Sequence, residues 1–224
     1  FRTQARSGML VGVMGASGSG KSTLLNLLAG TEPPTFGEIT IDGIQVSDEA
    51  ARSWIGLVPQ EDHLLPELTV GENLYYAARL AFSGDDRAQT QERVKVCLQQ
   101  LGLWEARDLP VGDALNKTIS GGQRKRLNIA MELIRGPKVL LVDEPTSGLS
   151  SKDSELLMDL LKQMTYSGTL VIAVIHQPSG DIFRMVTRDS SCILGLLLRD
   201  FLALHQFILD LGYFTVNRNY QLSV

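Results

Sequence analysis

The chain has 224 residues, of which 44% are hydrophobic and 21% charged. This composition is typical of a globular protein and has too many apolar residues for an intrinsically disordered chain. Its net charge of −4 at pH 7 lacks the basic excess of nucleic-acid-binding surfaces, so we expect no nucleic-acid partner. The two cysteines, Cys97 and Cys192, lie far apart and indicate neither a disulfide framework nor a zinc site. Because Phe1 stands close to the first predicted strand, we expect the chain to be a piece of a longer protein.

The first predicted strand, residues 9–14, and the first predicted helix, residues 23–29, flank a glycine-rich loop that fits G-x-x-x-x-G-K-[ST] at every fixed position. This strand–loop–helix context favours a phosphate site over a chance lysine in a common βα turn. Glycines let the backbone aim N–H groups at phosphate oxygens, and the helix adds its positive end. We therefore predict a nucleoside triphosphate site in which Lys21 reaches the β- and γ-phosphates and Ser22 ligates Mg²⁺. The predicted binding residues are Gly15, Ser17, Gly18, Ser19, Gly20, Lys21, Ser22 and Thr23.

The next segment changes from strands to helices. Residues 38–43 alternate in polarity and end in an Asp-Gly turn, which predicts a strand and a hairpin corner, and residues 54–58 form another short strand. Thr69 and Glu72 then have the spacing of a capping box and begin a mostly helical insertion that extends to about residue 117. The predicted helices of this insertion span residues 73–82 and 87–101.

The second half of the chain alternates between helices (residues 124–134 and 151–164) and apolar strands (residues 138–142 and 169–175). This alternation predicts an α/β protein with a mainly parallel sheet and ligand groups at the carboxyl ends of its strands. Four polar side chains follow predicted strands and should converge at that edge: Lys21, Gln60, Asp143 and His176.

Two adjacent carboxylates end the apolar strand of the second half. Neighbouring strand residues point to opposite sides, so Asp143 and Glu144 can take different roles. We expect Asp143 to hold Mg²⁺ together with the Ser22 hydroxyl, and Glu144 to orient or deprotonate the attacking water. An exposed Asp-Glu turn after a buried strand is the alternative, and the phosphate loop upstream argues against it.

Ser120-Gly121-Gly122-Gln123, followed by Arg124-Lys125-Arg126, resembles the signature motif of ATP-binding cassette (ABC) ATPases. The phosphate loop precedes it and Asp143-Glu144-Pro145-Thr146-Ser147-Gly148-Leu149 follows it, in family order, and the resemblance covers about residues 10–183. It implies a P-loop NTPase fold with a mainly parallel sheet core and a small antiparallel β portion. It also implies that residues 1–183 form the ABC ATPase domain, with a helical subdomain at about residues 69–135 between the glutamine loop and the signature motif.

The resemblance assigns roles to single residues. Gln60 matches the glutamine that senses Mg²⁺ and the attacking water and faces the transmembrane partner, and His176 matches the switch histidine that contacts the γ-phosphate. Catalysis is thereby expected from Glu144, His176 and Gln60, and Mg²⁺ binding from Ser22, Gln60 and Asp143. The signature residues Ser120, Gly121, Gly122 and Gln123 would contact the ATP held by a second ABC ATPase domain, so that ATP joins a head-to-tail homo- or heterodimer.

The string Ile175-His176-Gln177-Pro178-Ser179 resembles the G-type (White-like) ABC transporters and their bacterial relatives. In that group the ATPase precedes a transmembrane permease domain on the same chain, which implies a site at the cytoplasmic face of a membrane. The family usually has Asp where Ser150 stands, which puts coupling between the two sites in question. Residues 184–224 fit the family poorly and are predicted to be a divergent C-terminal tail.

Other readings of the chain stay open. A soluble ABC ATPase that acts on ribosomes or DNA is the second hypothesis, although such proteins usually carry paired cassettes, coiled-coil insertions or basic surfaces. A regulatory half without hydrolysis is the third. The run Arg124-Lys125-Arg126 is interpreted as a solvated helix face. Residues 192–211 are apolar but interrupted by Arg199 and Asp200, so we expect a packed or interfacial helix and not a membrane span.

Overall fold

Strands and helices alternate along most of the chain, as the apolar runs predict. The computed structural model describes residues 2–3, 5–113, 118–176, 178–188, 193–195, 213–216 and 222–223. In chain order the elements are β1 (Arg2–Thr3), β2 (Leu10–Met14), α1 (Lys21–Leu28), β3 (Glu38–Ile41), β4 (Ile44–Gln45), α2 (Glu49–Arg52), β5 (Ile55–Val58), α3 (Val70–Ala81), α4 (Arg87–Gln100), α5 (Gly121–Leu133), β6 (Val139–Asp143), α6 (Ser151–Tyr166), β7 (Leu170–Ile175), α7 (Gly180–Arg188), β8 (Ile193–Gly195), β9 (Tyr213–Val216) and β10 (Leu222–Ser223).

The central sheet has the order β5-β6-β7-β2-β8, and every neighbouring pair in it is parallel. β7 is buried throughout and β6 is buried up to Asp143, which explains the apolar runs in both strands. Because parallel strands end at the same edge, the segments that follow β2, β5, β6 and β7 meet there. The predicted parallel α/β core is confirmed, and it brings the four predicted polar groups to one edge.

A second sheet has the order β1-β9-β3-β4, with β10 paired to β9. The β3–β4 hairpin is antiparallel and turns at Asp42 (φ 52°) and Gly43 (φ 81°), two left-handed residues that suit a two-residue hairpin. This turn confirms the hairpin corner predicted from the Asp-Gly signal, and the hairpin is the small antiparallel portion that the resemblance implies. The sheet as a whole is mixed, because β9 lies parallel to both β1 and β3.

Helices α3, α4 and α5 pack together beside the central sheet, and each begins at a residue with a side-chain cap. The predicted capping box at α3 is confirmed: the Glu72 N–H donates to Thr69 Oγ1 (3.1 Å) and the Thr69 N–H donates to Glu72 Oε2 (2.8 Å). Asp86 and Gln89 form an equivalent capping box at the start of α4. These contacts pair backbone donors that a helix start would otherwise leave free.

The hydrophobic core has one cluster on each face of the central sheet. Alternate residues of β6 belong to different clusters: Leu140 packs with α5 and α6, whereas Leu141 packs with α1 and β3. The cluster of Leu140 also contains Leu74, Leu98 and Leu127 from α3, α4 and α5. The helices therefore share a continuous core with one face of the sheet.

The C-terminal region differs from the expectation for residues 192–211. Ile193–Gly195 is not helical but forms β8, which pairs with β2 and extends the central sheet. The remaining residues of that predicted helix lie outside the described residues. Among the helices that the structure describes, none is both long and apolar enough to cross a bilayer.

Candidate nucleotide-binding site

The loop between β2 and α1 has the backbone that the glycine pattern predicts. Gly18 (φ 75°) and Gly20 (φ 82°) occupy the left-handed region, where residues with a Cβ are disfavoured. Gly20 is the N-cap of α1, and no side chain caps this helix, whereas side chains cap α3, α4, α5 and α6. The first turn of α1 thus presents backbone N–H groups to an anion.

Lys21 folds back over this loop. Its side chain is only 6% exposed, and Nζ donates to the carbonyl oxygens of Gly15 (3.0 Å) and Ala16 (2.7 Å). An ammonium group has three donors, so one is left for a phosphate oxygen. Ser19 Oγ is buried without a hydrogen-bond partner among the described residues, while Ser22 and Thr23 are exposed at the start of α1. The loop therefore gathers donors that have few partners of their own, around the place predicted for phosphates.

The carboxylates at the end of β6 have separate surroundings, as predicted for strand neighbours. Asp143 Oδ1 is buried and has no hydrogen-bond partner in the described part of the chain. Glu144 Oε2 accepts a hydrogen bond from Gln60 Nε2 (2.9 Å), and the Glu144 N–H donates to the Val174 carbonyl oxygen (3.1 Å). Glu144 has φ 44°, a left-handed conformation that is uncommon for a residue with a side chain. An unpartnered carboxylate oxygen at the end of β6 suits the oxygen ligands that Mg²⁺ prefers.

His176 follows β7 and lines a cavity of about 240 Å³ together with Glu144, Thr146 and Ser179. The structure thus brings the three predicted catalytic residues together, because Gln60 is hydrogen-bonded to Glu144 and His176 shares a cavity with it.

The signature residues Ser120–Gln123 begin α5. The Gln123 N–H donates to Ser120 Oγ (3.1 Å), and the Ser120 N–H donates to Gln123 Oε1 (2.7 Å). Since Ser120 Oγ accepts in this capping box, its own proton remains free to donate to an anion. Within the described residues, no hydrogen bond joins this motif to the phosphate loop.

The apolar pattern predicts α5 from residue 124, and the helix extends three residues further towards the N-terminus, so that the signature residues begin it. Ser-x-x-Gln is itself a capping-box pattern, so the sequence contained a signal for the earlier start.

The basic run that follows is not the solvated face that the sequence suggested. Arg124 makes a bidentate ion pair with Asp62, from Nε to Oδ2 and from Nη2 to Oδ1 (3.0 Å each). Lys125 Nζ donates to the carbonyl oxygen of Gln60. Arg126 Nε donates to the carbonyl oxygen of Gly122 (3.3 Å). Each cation therefore binds a protein group, and the interpretation as a solvated face was wrong.

The contacts and the partial burial of this run shift the pKa values of Asp62 and Lys125. Hydrogen bonding from Arg124 holds the pKa of Asp62 below its ordinary value. Burial lowers the pKa of Lys125, and the carboxylates of Asp62, Asp143 and Glu144 oppose that shift. Lys125 is thus a cation within electrostatic range of the carboxylates at the end of β6.

Ser150, the departure from the family pattern, is the N-cap of α6. Its Oγ accepts from the Asp153 N–H (3.1 Å) and donates to Asp153 Oδ2 (2.7 Å). Serine and aspartate are similarly good N-caps, so Ser150 preserves the local helix start that an aspartate would give.

A glycine-rich phosphate loop after an interior strand of a parallel sheet defines a P-loop nucleoside triphosphatase. The ABC transporter family model matches residues 1–147, and the chain therefore belongs to the ABC transporter family. It is similar to the ABC-type transporter claG of Penicillium crustosum, with 42% identity over 179 residues, covering 80% of this chain and 24% of that protein. It is similar to ABC transporter G family member 22 of Arabidopsis thaliana, with 43% identity over 191 residues, covering 84% of this chain and 25% of that protein.

Among solved structures, the dimeric ATP-binding cassette MJ0796 in a post-hydrolysis state bound to ADP and Pi is similar, with a TM-score of 0.67 and 33% identity, covering 81% of this chain and 79% of that one. These similarities identify the chain as an ATP-binding ABC ATPase domain of the G type. It spans about a quarter of the length of these two transporters.

Proposed function

We propose that this chain is the ATP-hydrolysing domain of an ABC transporter and that it drives transport as a head-to-tail dimer of ATPase domains. The observation that carries the proposal is the hydrogen bond from Gln60 to Glu144, which places a side chain from the end of β5 on the carboxylate after β6. The names of the relatives favour a transporter over a soluble ABC ATPase.

ATP binding rests on the loop between β2 and α1. The phosphates lie against the backbone from Gly15 to Gly20 and the first turn of α1, and Lys21 donates to the β- and γ-phosphates. Mg²⁺ neutralises charge on the phosphates when it is bound, and Ser22, Gln60 and Asp143 are the residues that would hold it. The unpartnered Asp143 Oδ1 supports this ligand set.

Hydrolysis requires a water molecule that is oriented against the γ-phosphate. Glu144 accepts a hydrogen bond from that water and takes its proton, and Gln60 fixes the orientation of the Glu144 carboxylate. His176, which lines the same cavity as Glu144, donates to the γ-phosphate. The signature residues Ser120–Gln123 of a second domain supply a hydroxyl, N–H groups and a helix N-terminus to the same phosphate.

The transmembrane partner docks on an apolar surface beside α3. Leu80 is 88% exposed, and Leu65 and Tyr76 are more than half exposed around a cavity of about 760 Å³ that also includes His63 and Phe82. This surface begins close after Gln60, so a permease domain bound here would act directly on the catalytic segment. A permease domain bound here would hold the chain at the cytoplasmic face of a membrane. In the full-length protein, Leu80→Arg should abolish transport while the purified chain still dimerises with ATP.

The first experiment is ATP-driven dimerisation of Glu144→Gln, measured by light scattering. The variant should bind ATP, fail to hydrolyse it and accumulate as a dimer, whereas wild type turns ATP over and stays mostly monomeric. Mg²⁺-free ATP is the control for hydrolysis in wild type, and Lys21→Ala in the Glu144→Gln background is the control for phosphate binding. A Glu144→Gln chain that binds ATP and remains monomeric would contradict the composite site.

A further inference from the structure

The cavity beside Glu144 is lined mainly by hydroxyl groups. It has a volume of about 240 Å³, and Glu144 and His176 both line it, so it opens directly onto two of the predicted catalytic side chains. Its hydroxyls come from the turn after β6, the start of α6 and the turn before α7: Thr146, Ser147, Ser151, Ser154 and Ser179. We name this space the hydroxyl cavity.

Ser154 is the most buried residue among those that supply these hydroxyls. It is only 6% exposed, whereas Ser147, Ser151 and Ser179 are exposed to solvent. Its main-chain N–H donates to the Ser150 carbonyl oxygen (2.9 Å), but its side-chain hydroxyl has no hydrogen bond to any residue that the structure describes. Buried hydroxyls are nearly always hydrogen-bonded, either to protein or to ordered water. The partner of the Ser154 hydroxyl is therefore a molecule held in the hydroxyl cavity.

The charges around the hydroxyl cavity favour water over an anion. Helices α6 and α7 both begin beside it, and a helix N-terminus attracts anions. Among the described residues that line it, however, there is no lysine or arginine, and Glu144 contributes a carboxylate. Glu144 would repel a phosphate there, and no cation in the lining would compensate for that repulsion. Water has no such cost, and a cavity of about 240 Å³ has room for several water molecules, because each takes about 30 Å³ in the liquid.

We propose that the hydroxyl cavity holds the water that ATP hydrolysis consumes, and that Ser154 is the positioning residue that orders this water beside Glu144. This inference rests on the proposed hydrolysis at Glu144. In each turnover the oxygen of one water bonds to the γ-phosphorus, its proton passes to Glu144, and the bond from the γ-phosphorus to the oxygen of ADP breaks. The next water comes from the hydroxyl cavity, where a hydrogen bond to the Ser154 hydroxyl limits its orientations.

The test compares Ser154→Ala with Thr165→Val in the full chain. Each substitution removes one buried hydroxyl from α6, but Thr165 lies at the other end of the helix, where its Oγ1 donates to the Lys162 carbonyl oxygen (2.7 Å). Ser154→Thr is the rescue variant, because it keeps a hydroxyl and the hydroxyl cavity has room for the added methyl group. Each variant is measured for kcat and KM of ATP hydrolysis, ADP affinity, melting temperature and inhibition by inorganic phosphate.

Ser154→Ala should lower kcat about tenfold, because the attacking water loses part of its orientation. KM and ADP affinity should stay close to those of wild type, since the phosphate loop is untouched. The melting temperature should be no lower than that of wild type, because alanine is a better helix former than serine, whereas a purely structural role would lower it. Ser154→Thr should recover most of the wild-type kcat, and Thr165→Val should keep all of it.

A wild-type kcat in Ser154→Ala would overturn this inference, and so would an equal loss of kcat in Thr165→Val or in Ser154→Thr. A loss of kcat that comes with a lower melting temperature would also overturn it, since that indicates a structural role. If Ser154→Ala keeps its kcat but requires more inorganic phosphate for half-maximal inhibition, the hydroxyl cavity holds an anion and not water. Absence of ATP hydrolysis by the wild-type chain would instead overturn the proposed function, and this inference with it.

Discussion

A methyl group added to Gly121 should block dimerisation without harming the fold, whereas the same group on Gly122 should destabilise the fold. A Cβ built on Gly121 meets its nearest neighbour, Leu149 Cδ2, at 3.6 Å, which is ordinary contact. Neither glycine has a positive φ, so alanine is allowed at both. Gly121→Ala should therefore gain about 0.4–1 kcal/mol from reduced freedom of the unfolded chain. In a chain of this length the gain raises the melting temperature by about 1–4 °C.

Gly122 is buried against the start of α6. A Cβ there would lie 3.0 Å from Asp153 Oδ1 and 3.2 Å from its Cγ, and Asp153 is itself held by Ser150. Overpacking of this kind costs about 1–3 kcal/mol, against a gain of about 0.4–1 kcal/mol from the unfolded state, so the net cost is up to about 2.6 kcal/mol. Gly122→Ala should have a melting temperature lower than wild type by up to about 10 °C.

The functional difference is measured in the Glu144→Gln background by light scattering against ATP concentration. Gly121 is exposed at the N-terminal face of α5, where the phosphate of the second copy is expected, so its methyl group separates the two surfaces. Gly121→Ala should raise the half-maximal ATP concentration at least tenfold while ADP affinity stays unchanged. A normal dimerisation midpoint for Gly121→Ala, with the expected rise in melting temperature, would refute the assignment of this face to the composite site.

Three further results are expected. Saturating ATP with Mg²⁺ at about 100 times Kd stabilises a protein by about 2.7 kcal/mol, so it should raise the wild-type melting temperature by roughly 5–10 °C, and Lys21→Ala should lose that rise. Thr69→Ala removes the oxygen that caps α3 and should lower the free energy of unfolding, measured by urea denaturation, by about 1 kcal/mol. Thr69→Ser keeps a capping hydroxyl and should therefore be nearly as stable as wild type. Burial raises the pKa of Glu132 above its ordinary value of 4.5, so the folded chain keeps this proton to higher pH than the unfolded chain and loses stability as pH rises through that window. Glu132→Gln should therefore melt higher than wild type at pH 7 and lose this advantage below about pH 4; an equal difference at both pH values would contradict the assignment.

The features that sequence alone could predict are those that depend on neighbouring residues. The capping box of Thr69 and Glu72, the turn at Asp42 and the apolar strands all follow from spacing and propensity over a few positions. The same spacing rule accounts for the cap at Ser120, which begins α5 one turn before the predicted helix of residues 124–134. Local chemistry therefore predicted the types of the elements up to β7 and the polar edge of the sheet, but not strand β8.

The features that sequence could not predict depend on contacts between distant segments. Arg124 and Asp62 are 62 positions apart, and nothing near Arg124 indicates that a loop covers it. Three basic residues in a row are most often solvated, so the local pattern favoured the wrong answer. The position of β9 within the second sheet could not be predicted for the same reason, because its partner β3 lies about 175 residues upstream.

The left-handed backbone at Glu144 determines which substitution can isolate the role of its carboxylate. A residue with a side chain is destabilised by about 1–3 kcal/mol in such a conformation, while glycine and asparagine adopt it more easily. Glu144→Gly or Glu144→Asn would therefore remove the carboxylate and relax the backbone at the same time. If either variant formed a longer-lived dimer, a binding curve would not show whether the lost carboxylate or the relaxed backbone was the cause. Glutamine keeps the length of the side chain and the unfavourable φ, so the Glu144→Gln trap changes charge and basicity while the geometry of the turn after β6 stays as it is.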